Sequence, residues 1–143
     1  MKKKTILCLM LILSLLACFV TAMAVDEEPP VEPDPEEPYT GLNSASAGLS
    51  INPSTGVATC SCYVTLHAGY TANVYMTLQK KTNGSWGPYA GWTNSGSTPI
   101  AMSETANVDY GYQYRTYVKA VIYDSNGNYV EYGEIWSPVK SYP

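Results

Sequence analysis

Residues 58–66 alternate apolar and polar side chains at every position, and this period of two limits the fold more than any other feature of the chain. Successive side chains of a strand point to opposite faces, whereas a helix needs apolar residues three and four positions apart. The segment therefore predicts a strand with one face in a hydrophobic core and the other toward solvent. The apolar face consists of Ala58, Cys60, Cys62, Val64 and Leu66.

Similar short runs rich in Val, Ile, Thr and Tyr recur after Pro38, separated by Gly, Asn and Pro, and none of them has the period of an amphipathic helix. The pattern predicts strands at about 44–51, 58–66, 72–80, from 86, around 99–103, at 112–123 and at 129–138. Asn83-Gly84 and the segment 124–128 are expected to close hairpins. The other inward-facing residues are predicted to be Ala45, Ala47, Leu49, Ile51, Val74, Met76, Leu78, Ile100, Met102, Tyr112, Tyr114, Thr116, Val118, Ala120 and Ile122.

The residues from Tyr114 to Ala120 resemble the penultimate strand of fibronectin type III domains, with tyrosine, two β-branched residues and alanine at alternate positions before a Gly-containing hairpin. Thr116 stands where that family usually has a larger aliphatic residue, and the tryptophan expected early in such domains is absent. The resemblance covers about one strand and its turn. With the strand spacing, it implies an all-β fold, an immunoglobulin- or fibronectin type III-like β-sandwich of six to eight antiparallel strands.

The N-terminus has the three parts of a signal peptide in order. Three lysines at residues 2–4 precede an apolar run over residues 5–20, and Ala22-Met23-Ala24 carries the small residues that signal peptidase reads. The run is shorter than the roughly 20 residues that a membrane-spanning helix needs. We therefore expect residues 1–24 to be removed, no membrane span, and a mature chain that is secreted and works outside the cytoplasm.

A second cleavage site competes with the first. Leu15-Leu16-Ala17-Cys18 resembles the lipobox at which bacterial lipoproteins are cut and lipidated on cysteine. Under this alternative, Cys18 carries a lipid anchor and the protein stays at the cell surface.

Residues 25–38 combine seven acidic residues with five prolines. Such a segment has too few apolar side chains to offset the entropy of ordering it, so we expect a disordered, extended spacer before a β-sandwich domain at 39–143. With the spacer set apart, the domain balances five acidic residues against five basic ones. The mature chain as a whole is acidic, which argues against nucleic acid as a partner.

Cys60 and Cys62 are the only cysteines after residue 24, and in a strand they point to the same face with nearly parallel side chains. A bridge between them would need a bent backbone. A metal site needs three or four ligands, and the single histidine, His67, faces away from both. We interpret the two cysteines as small core residues rather than a redox or metal pair, and we expect no metal and no cofactor.

No catalytic constellation stands out in the sequence. His67 lies in a predicted loop without a nucleophile or an orienting partner. The segment 124–128 lacks the glycine and the glutamate of a calcium loop, since those positions hold Tyr129 and Ile135. We expect a protein that is not an enzyme; the alternative is a small secreted hydrolase that uses two of the domain's acids, as glycosidases do. Those acids are Glu104, Asp109, Asp124, Glu131 and Glu134.

Aromatic residues carry the candidate binding sites, since the chain has 13 tyrosines and three tryptophans against one phenylalanine. The strand phases place Tyr75, Tyr117 and Tyr123 on an outward face, together with Thr77, Gln79 and Lys119. Exposed amphipathic rings suit sugar faces or protein partners. The alternative is structural, with tyrosines pairing across strands and tryptophans capping the core. A second candidate cluster lies in the Gly-rich stretch 84–96 and consists of Trp86, Tyr89 and Trp92.

The arrangement as a whole also resembles an uncharacterised family of small exported proteins of Gram-positive bacteria, a domain of unknown function. The shared features are the lysine-led signal, the acidic proline-rich spacer, the Ala-Thr-Cys-Ser-Cys strand and Leu-Gln-Lys-Lys before a Gly-Ser-Trp hairpin. The resemblance implies fold and export and brings no catalytic residues. We expect a binding or adhesion module for an extracellular glycan or protein, or alternatively a structural or toxin-like protein that self-associates through edge strands.

Overall fold

The computed structural model describes residues 39–143, and the chain there forms eight strands. The predicted signal peptide, the alternative lipidation site at Cys18 and the predicted spacer lie outside the described residues. The described part holds no helix with the length and hydrophobicity of a membrane span. The strands are β1 (Leu42–Ile51), β2 (Val57–Leu66), β3 (Thr71–Thr82), β4 (Ser85–Gly96), β5 (Ile100–Asn107), β6 (Tyr112–Tyr123), β7 (Tyr129–Trp136) and β8 (Lys140–Tyr142).

The strands form two antiparallel sheets that pack against each other. One sheet has the order β1-β2-β5, and the other has the order β4-β3-β6-β7 with β8 paired to β6. The chain therefore crosses between the sheets after β2, after β4 and after β5. In constant-type immunoglobulin domains the fourth strand joins the first sheet, whereas here β4 pairs with β3. The prediction of an all-β sandwich is confirmed, with eight strands at the upper end of the expected range.

Apolar side chains at alternate positions of β2, β3 and β6 fill the space between the sheets. Val64, Val74 and Met76 are completely buried, and Ala45, Ala47 and Ile51 of β1 pack partly buried against them. Burial of this apolar surface is the main favourable term in folding. The predicted inward faces are confirmed at Leu49, Ala58, Cys60, Cys62, Val64, Leu66, Val74, Met76, Leu78, Ile100, Met102, Tyr114, Thr116, Val118, Ala120 and Ile122.

Tyr114 ties the start of β6 to the loop that precedes it. Its Oη donates to the carbonyl oxygen of Asp109 over 3.0 Å and accepts from the Asp109 N–H over 2.9 Å. This is the tyrosine corner of immunoglobulin-like sandwiches, in which a buried phenol satisfies backbone groups at the crossing between the sheets. The Tyr114 side chain is fully buried, so the corner fixes how β5 leads into β6.

The hairpin between β3 and β4 forms at the predicted Asn83-Gly84. Both residues adopt positive φ, 52° and 82°, which suits the two central positions of a type I′ turn. Further along, the β3–β4 register shifts between Leu78 and Gln79, because a bulge inserts an extra residue into β4. Pro88 lies next to this bulge, in keeping with the position of β4 at the edge of its sheet.

Three local expectations are wrong. Tyr112 is predicted to face inward, but the residue is 38% exposed because it lies at the end of the sandwich. The Lys80 ammonium nitrogen lies over the Tyr112 ring there, 3.6 Å from the ring centroid. The strand β8 was not expected, since three residues show no periodicity. The prediction also ended β7 two residues late, at 138 rather than Trp136.

Candidate functional site

Seven aromatic side chains share the outer face of the larger sheet, which we term the aromatic face. The register sets Tyr75 of β3 beside Lys119 of β6, and Tyr117 of β6 opposite Trp136 of β7. Residues paired across antiparallel strands point to the same side, so the outward positions of four strands lie together. The members of the aromatic face are Tyr75, Trp86, Tyr117, Tyr123, Tyr129, Tyr132 and Trp136, with Thr77, Gln79, Lys81, Arg115, Lys119 and Glu134 between them.

Arg115 lies between two tryptophans on this face. The centre of its guanidinium group is 4.4 Å from the Trp86 ring centroid and 5.8 Å from that of Trp136. Its Nε donates to the Gln79 side-chain oxygen over 2.7 Å, which fixes the plane of the guanidinium group. Contacts from β3, β4 and β7 therefore hold this cation in one orientation.

Lys119 and Glu134 are directly paired across β6 and β7 but form no ion pair. The Lys119 ammonium group lies 4.5 Å from the centroid of the Tyr132 ring. The Glu134 carboxylate instead accepts a hydrogen bond from the Tyr117 hydroxyl. The Tyr117 ring also packs against Trp136, with 5.4 Å between ring centroids.

Tyr117 has a perturbed ionisation. Burial, together with the hydrogen bond to Glu134 and the nearby negative charge of that carboxylate, raises the Tyr117 pKa to about 12. Each cause favours the neutral phenol. Tyr117 therefore stays protonated and acts as a hydrogen-bond donor at any physiological pH.

A shallow groove of about 300 Å³ runs beside Tyr75 at the end of the aromatic face. Its walls are the polar side chains of β3 and β4, including Asn73, Thr93 and Ser95. A larger depression of about 600 Å³ follows the chain from Ser50 to Thr59, and no aromatic or charged side chain lines it. Of these two depressions, only the groove beside Tyr75 combines hydrogen-bonding groups with a half-exposed ring. The groove therefore extends the aromatic face.

The six predicted binding residues separate into two groups. Tyr75, Trp86, Tyr117 and Tyr123 lie on the aromatic face, whereas Tyr89 and Trp92 do not. Trp92 is paired across the strands with the buried Met76 and packs against the core. Tyr89 packs edge-on against Tyr114, with 5.6 Å between the ring centroids. Trp92 thus fits the structural alternative, in which tryptophans pack on the core, because the bulge places Trp92 and Trp86 on opposite faces of β4.

Four of the domain's five carboxylates take part in separate structural contacts, and the fifth, Glu104, is exposed on β5. Asp109 pairs with the Lys80 ammonium group at 2.7 Å, and Asp124 accepts hydrogen bonds from the backbone of its own turn. Glu131 accepts from the backbone N–H groups of Thr40, Gly41 and Leu42 over 3.0, 2.7 and 2.9 Å. Within residues 39–143 no group of three His, Cys, Asp or Glu side chains is placed to hold a metal ion.

Cys60 and Cys62 are free thiols inside the core. Burial raises the pKa of each thiol, although a hydrogen bond with Thr116 opposes the shift at Cys60 and one with the Met102 backbone opposes it at Cys62. A protonated, buried thiol is a poor nucleophile and a poor metal ligand. Their placement matches the interpretation of the pair as core residues.

Sequence reasoning missed six residues of the face: the aromatic residues Tyr129, Tyr132 and Trp136 and the charged residues Lys81, Arg115 and Glu134. The signal was present, because Tyr132, Glu134 and Trp136 alternate along the last long strand in the same way as Tyr117 and Lys119 along β6. Only the register between β6 and β7 shows that the two rows lie side by side.

Comparison with protein-family models, with curated proteins and with solved structures gave no match. The candidate site accordingly rests on the register, the contacts and the charges described above.

Proposed function

We propose that this protein is an exported, non-catalytic binding module whose aromatic face recognises a glycan. The observation that carries the proposal is the register of β3, β6 and β7, which gathers half-exposed rings and hydrogen-bonding side chains on one face of a sheet. The three-part N-terminus supports export.

The chemistry of the aromatic face suits sugars. Tyrosine and tryptophan rings give a large apolar contact area at a small cost in side-chain entropy, and the C–H faces of sugar rings pack on such surfaces. Tyr75, Tyr132 and Trp136 remain 42%, 49% and 45% exposed, so their rings are accessible to a ligand. Gln79 and Thr77 stand between the rings as donors and acceptors for sugar hydroxyls.

The rigidity of the sheet also favours recognition. Groups on paired strands are held in place by the backbone ladder, so a ligand does not have to order them on binding. The stacked contacts of Trp86 with Arg115 and of Trp136 with Tyr117 limit the motion of the rings further.

The test is a glycan array probed with the secreted chain and with variants that remove one ring each. Tyr75→Ala and Trp136→Ala are expected to weaken binding by about tenfold or more, since an aromatic contact contributes about 1 kcal/mol beyond its area. Tyr63→Ala is the matched control, because Tyr63 is 47% exposed on the outer face of the other sheet.

Thermal unfolding of each variant separates a binding effect from misfolding. A chain that binds no glycan contradicts the proposal. It is equally contradicted if Tyr63→Ala weakens binding as much as the two substitutions on the aromatic face.

A further inference from the structure

Building on the proposed glycan-binding function, we infer that the ligand is an acidic polysaccharide whose carboxylates bind Arg115 and Lys119 on the aromatic face. The inference rests on the distribution of charge, on the absence of carboxylate partners for these cations and on their fixed positions.

Charge is distributed unevenly over a domain that is neutral as a whole. The domain has five basic and five acidic residues. Three of the basic ones, Lys81, Arg115 and Lys119, occupy outward positions of β3 and β6. In the described strands, Glu134 is the only acidic residue at an outward position of this sheet. The aromatic face is therefore a positive surface, and it attracts anions.

These cations lack carboxylate partners. The only ion pair within residues 39–143 joins Lys80 to Asp109, at the end of the sandwich. The obvious partner of Lys119 is Glu134, but that carboxylate is engaged by the Tyr117 hydroxyl. The Lys119 ammonium group therefore lies above the Tyr132 ring. This ring holds the ammonium group in place without neutralising its charge.

Of the three cations, Arg115 is the most preorganised for binding a carboxylate. Its Nε already donates a hydrogen bond to Gln79 and its guanidinium carbon lies over the Trp86 ring, while no other side-chain hydrogen bond of Arg115 forms within the described domain. The two terminal nitrogens are thus available to bind one carboxylate through two parallel hydrogen bonds. Because the side chain is already ordered, little rotamer entropy is lost on binding.

The spacing of the two cations favours a polymer over a single sugar acid. Arg115 and Lys119 are four residues apart on one face of β6, which corresponds to about 13 Å along an extended strand. A single carboxylate cannot contact both groups. A polysaccharide that carries carboxylates at regular intervals, on every sugar or on every second one, can, while its rings pack against Tyr117 and Trp136.

The experiment compares two acidic polysaccharides, polygalacturonate and hyaluronan, with their fully methyl-esterified forms, which keep the sugar rings but lose the charge. Calorimetric titration of the secreted chain is expected to show binding of at least one acid form about tenfold or more tighter than its ester, and weaker binding as salt is raised. Arg115→Gln and Lys119→Gln are expected to remove most of this preference. Lys140→Gln, an exposed lysine of β8, is the matched control and should keep it.

Arg115→Lys distinguishes charge from geometry, because it keeps the cation but not the paired hydrogen bonds, and it should recover only part of the affinity. Melting temperatures of all variants exclude unfolding as the cause. Equal binding of acid and ester, or binding of neutral glycans alone, overturns the inference and leaves the proposed function standing. Failure to bind any glycan overturns both.

Discussion

The side chain of Thr116 donates a hydrogen bond to the Gly48 carbonyl oxygen over 3.0 Å, and in doing so joins β6 of one sheet to β1 of the other. Thr116 is completely buried. Its backbone exchanges two further hydrogen bonds with Ser137, over 2.8 and 2.9 Å, just beyond the end of β7. A hydroxyl therefore occupies a core position where fibronectin type III-like strands usually have an aliphatic side chain, because a backbone oxygen of the facing sheet needs a donor there.

Replacement of Thr116 by valine should destabilise the domain by about 1 kcal/mol, since valine has a similar shape but leaves the part-buried Gly48 carbonyl without its donor. Urea unfolding monitored by tryptophan fluorescence measures the change. Thr116→Ser keeps the hydroxyl and should retain more of the stability than valine does. A valine variant as stable as the parent would show that the hydrogen bond adds no net stability.

The Tyr117 phenol should titrate at about pH 12, later than the ordinary tyrosine value near 10. Because the folded-state pKa of Tyr117 is raised, the neutral phenol adds to the free energy of unfolding. This contribution is fully present below about pH 10 and is lost as the pH rises toward 12. Absorbance titration near 295 nm, compared with that of Tyr117→Phe, isolates this group. Glu134→Gln removes the negative charge and should lower the Tyr117 pKa, whereas Glu131→Gln should not change it.

The two core thiols should be unreactive toward a disulfide reagent at pH 8 in the folded protein, because burial raises the pKa of Cys60 and of Cys62. In concentrated guanidinium chloride both should react at once. Between these limits the labelling rate should follow the fraction of unfolded chain, so that Thr116→Val accelerates it. Rapid labelling of the folded parent protein would mean that β2 opens locally.

Protonation of the Glu131 carboxylate should make the domain less stable in acid. Burial acts to raise its pKa, but the three backbone N–H donors of Thr40, Gly41 and Leu42 outweigh burial and lower it. For a lowered pKa, the stabilisation is present above the ordinary glutamate value near 4.3 and is lost as pH falls through the folded-state value. Melting temperature measured from pH 7 to pH 2.5 should therefore decline less steeply for Glu131→Gln than for the parent.

Glu104→Gln serves as the control for this profile, since Glu104 is an exposed residue in the middle of β5. It should leave the acid decline as steep as in the parent. If the decline is equally steep in Glu131→Gln, other groups cause it.

Periodicity was sufficient to predict much of the fold. The bounds of β6 were predicted at 112–123 and are found at Tyr112–Tyr123, because ten of its residues alternate strictly between core and surface. The alternation of β2 and β3 likewise predicted which side chains are buried. In each of these strands the hydrophobic effect acts on one face, and that leaves a pattern in the sequence.

The candidate site was predictable only in part, since it depends on which strands are neighbours. The outward positions of Tyr75, Tyr117 and Tyr123 followed from the alternation within their own strands. The stacking of Arg115 between Trp86 and Trp136 involves three strands, and no local pattern encodes such a contact. The bulge opposite Gln79 also carries no clear sequence signal, and it is the bulge that turns Trp92 toward the core while Trp86 faces outward.

The bulge and Pro88 also bear on how readily a second chain can add to the edge of the larger sheet. β4 is a 12-residue edge strand without a single charged side chain, which is the kind of edge on which amyloid-like growth begins. Proline offers no N–H to an incoming strand, and the bulge breaks the regular alternation of free donors and acceptors. The edge is thereby divided into two short segments, so pairing with a further strand is opposed by the backbone of β4 and not by charged side chains on it.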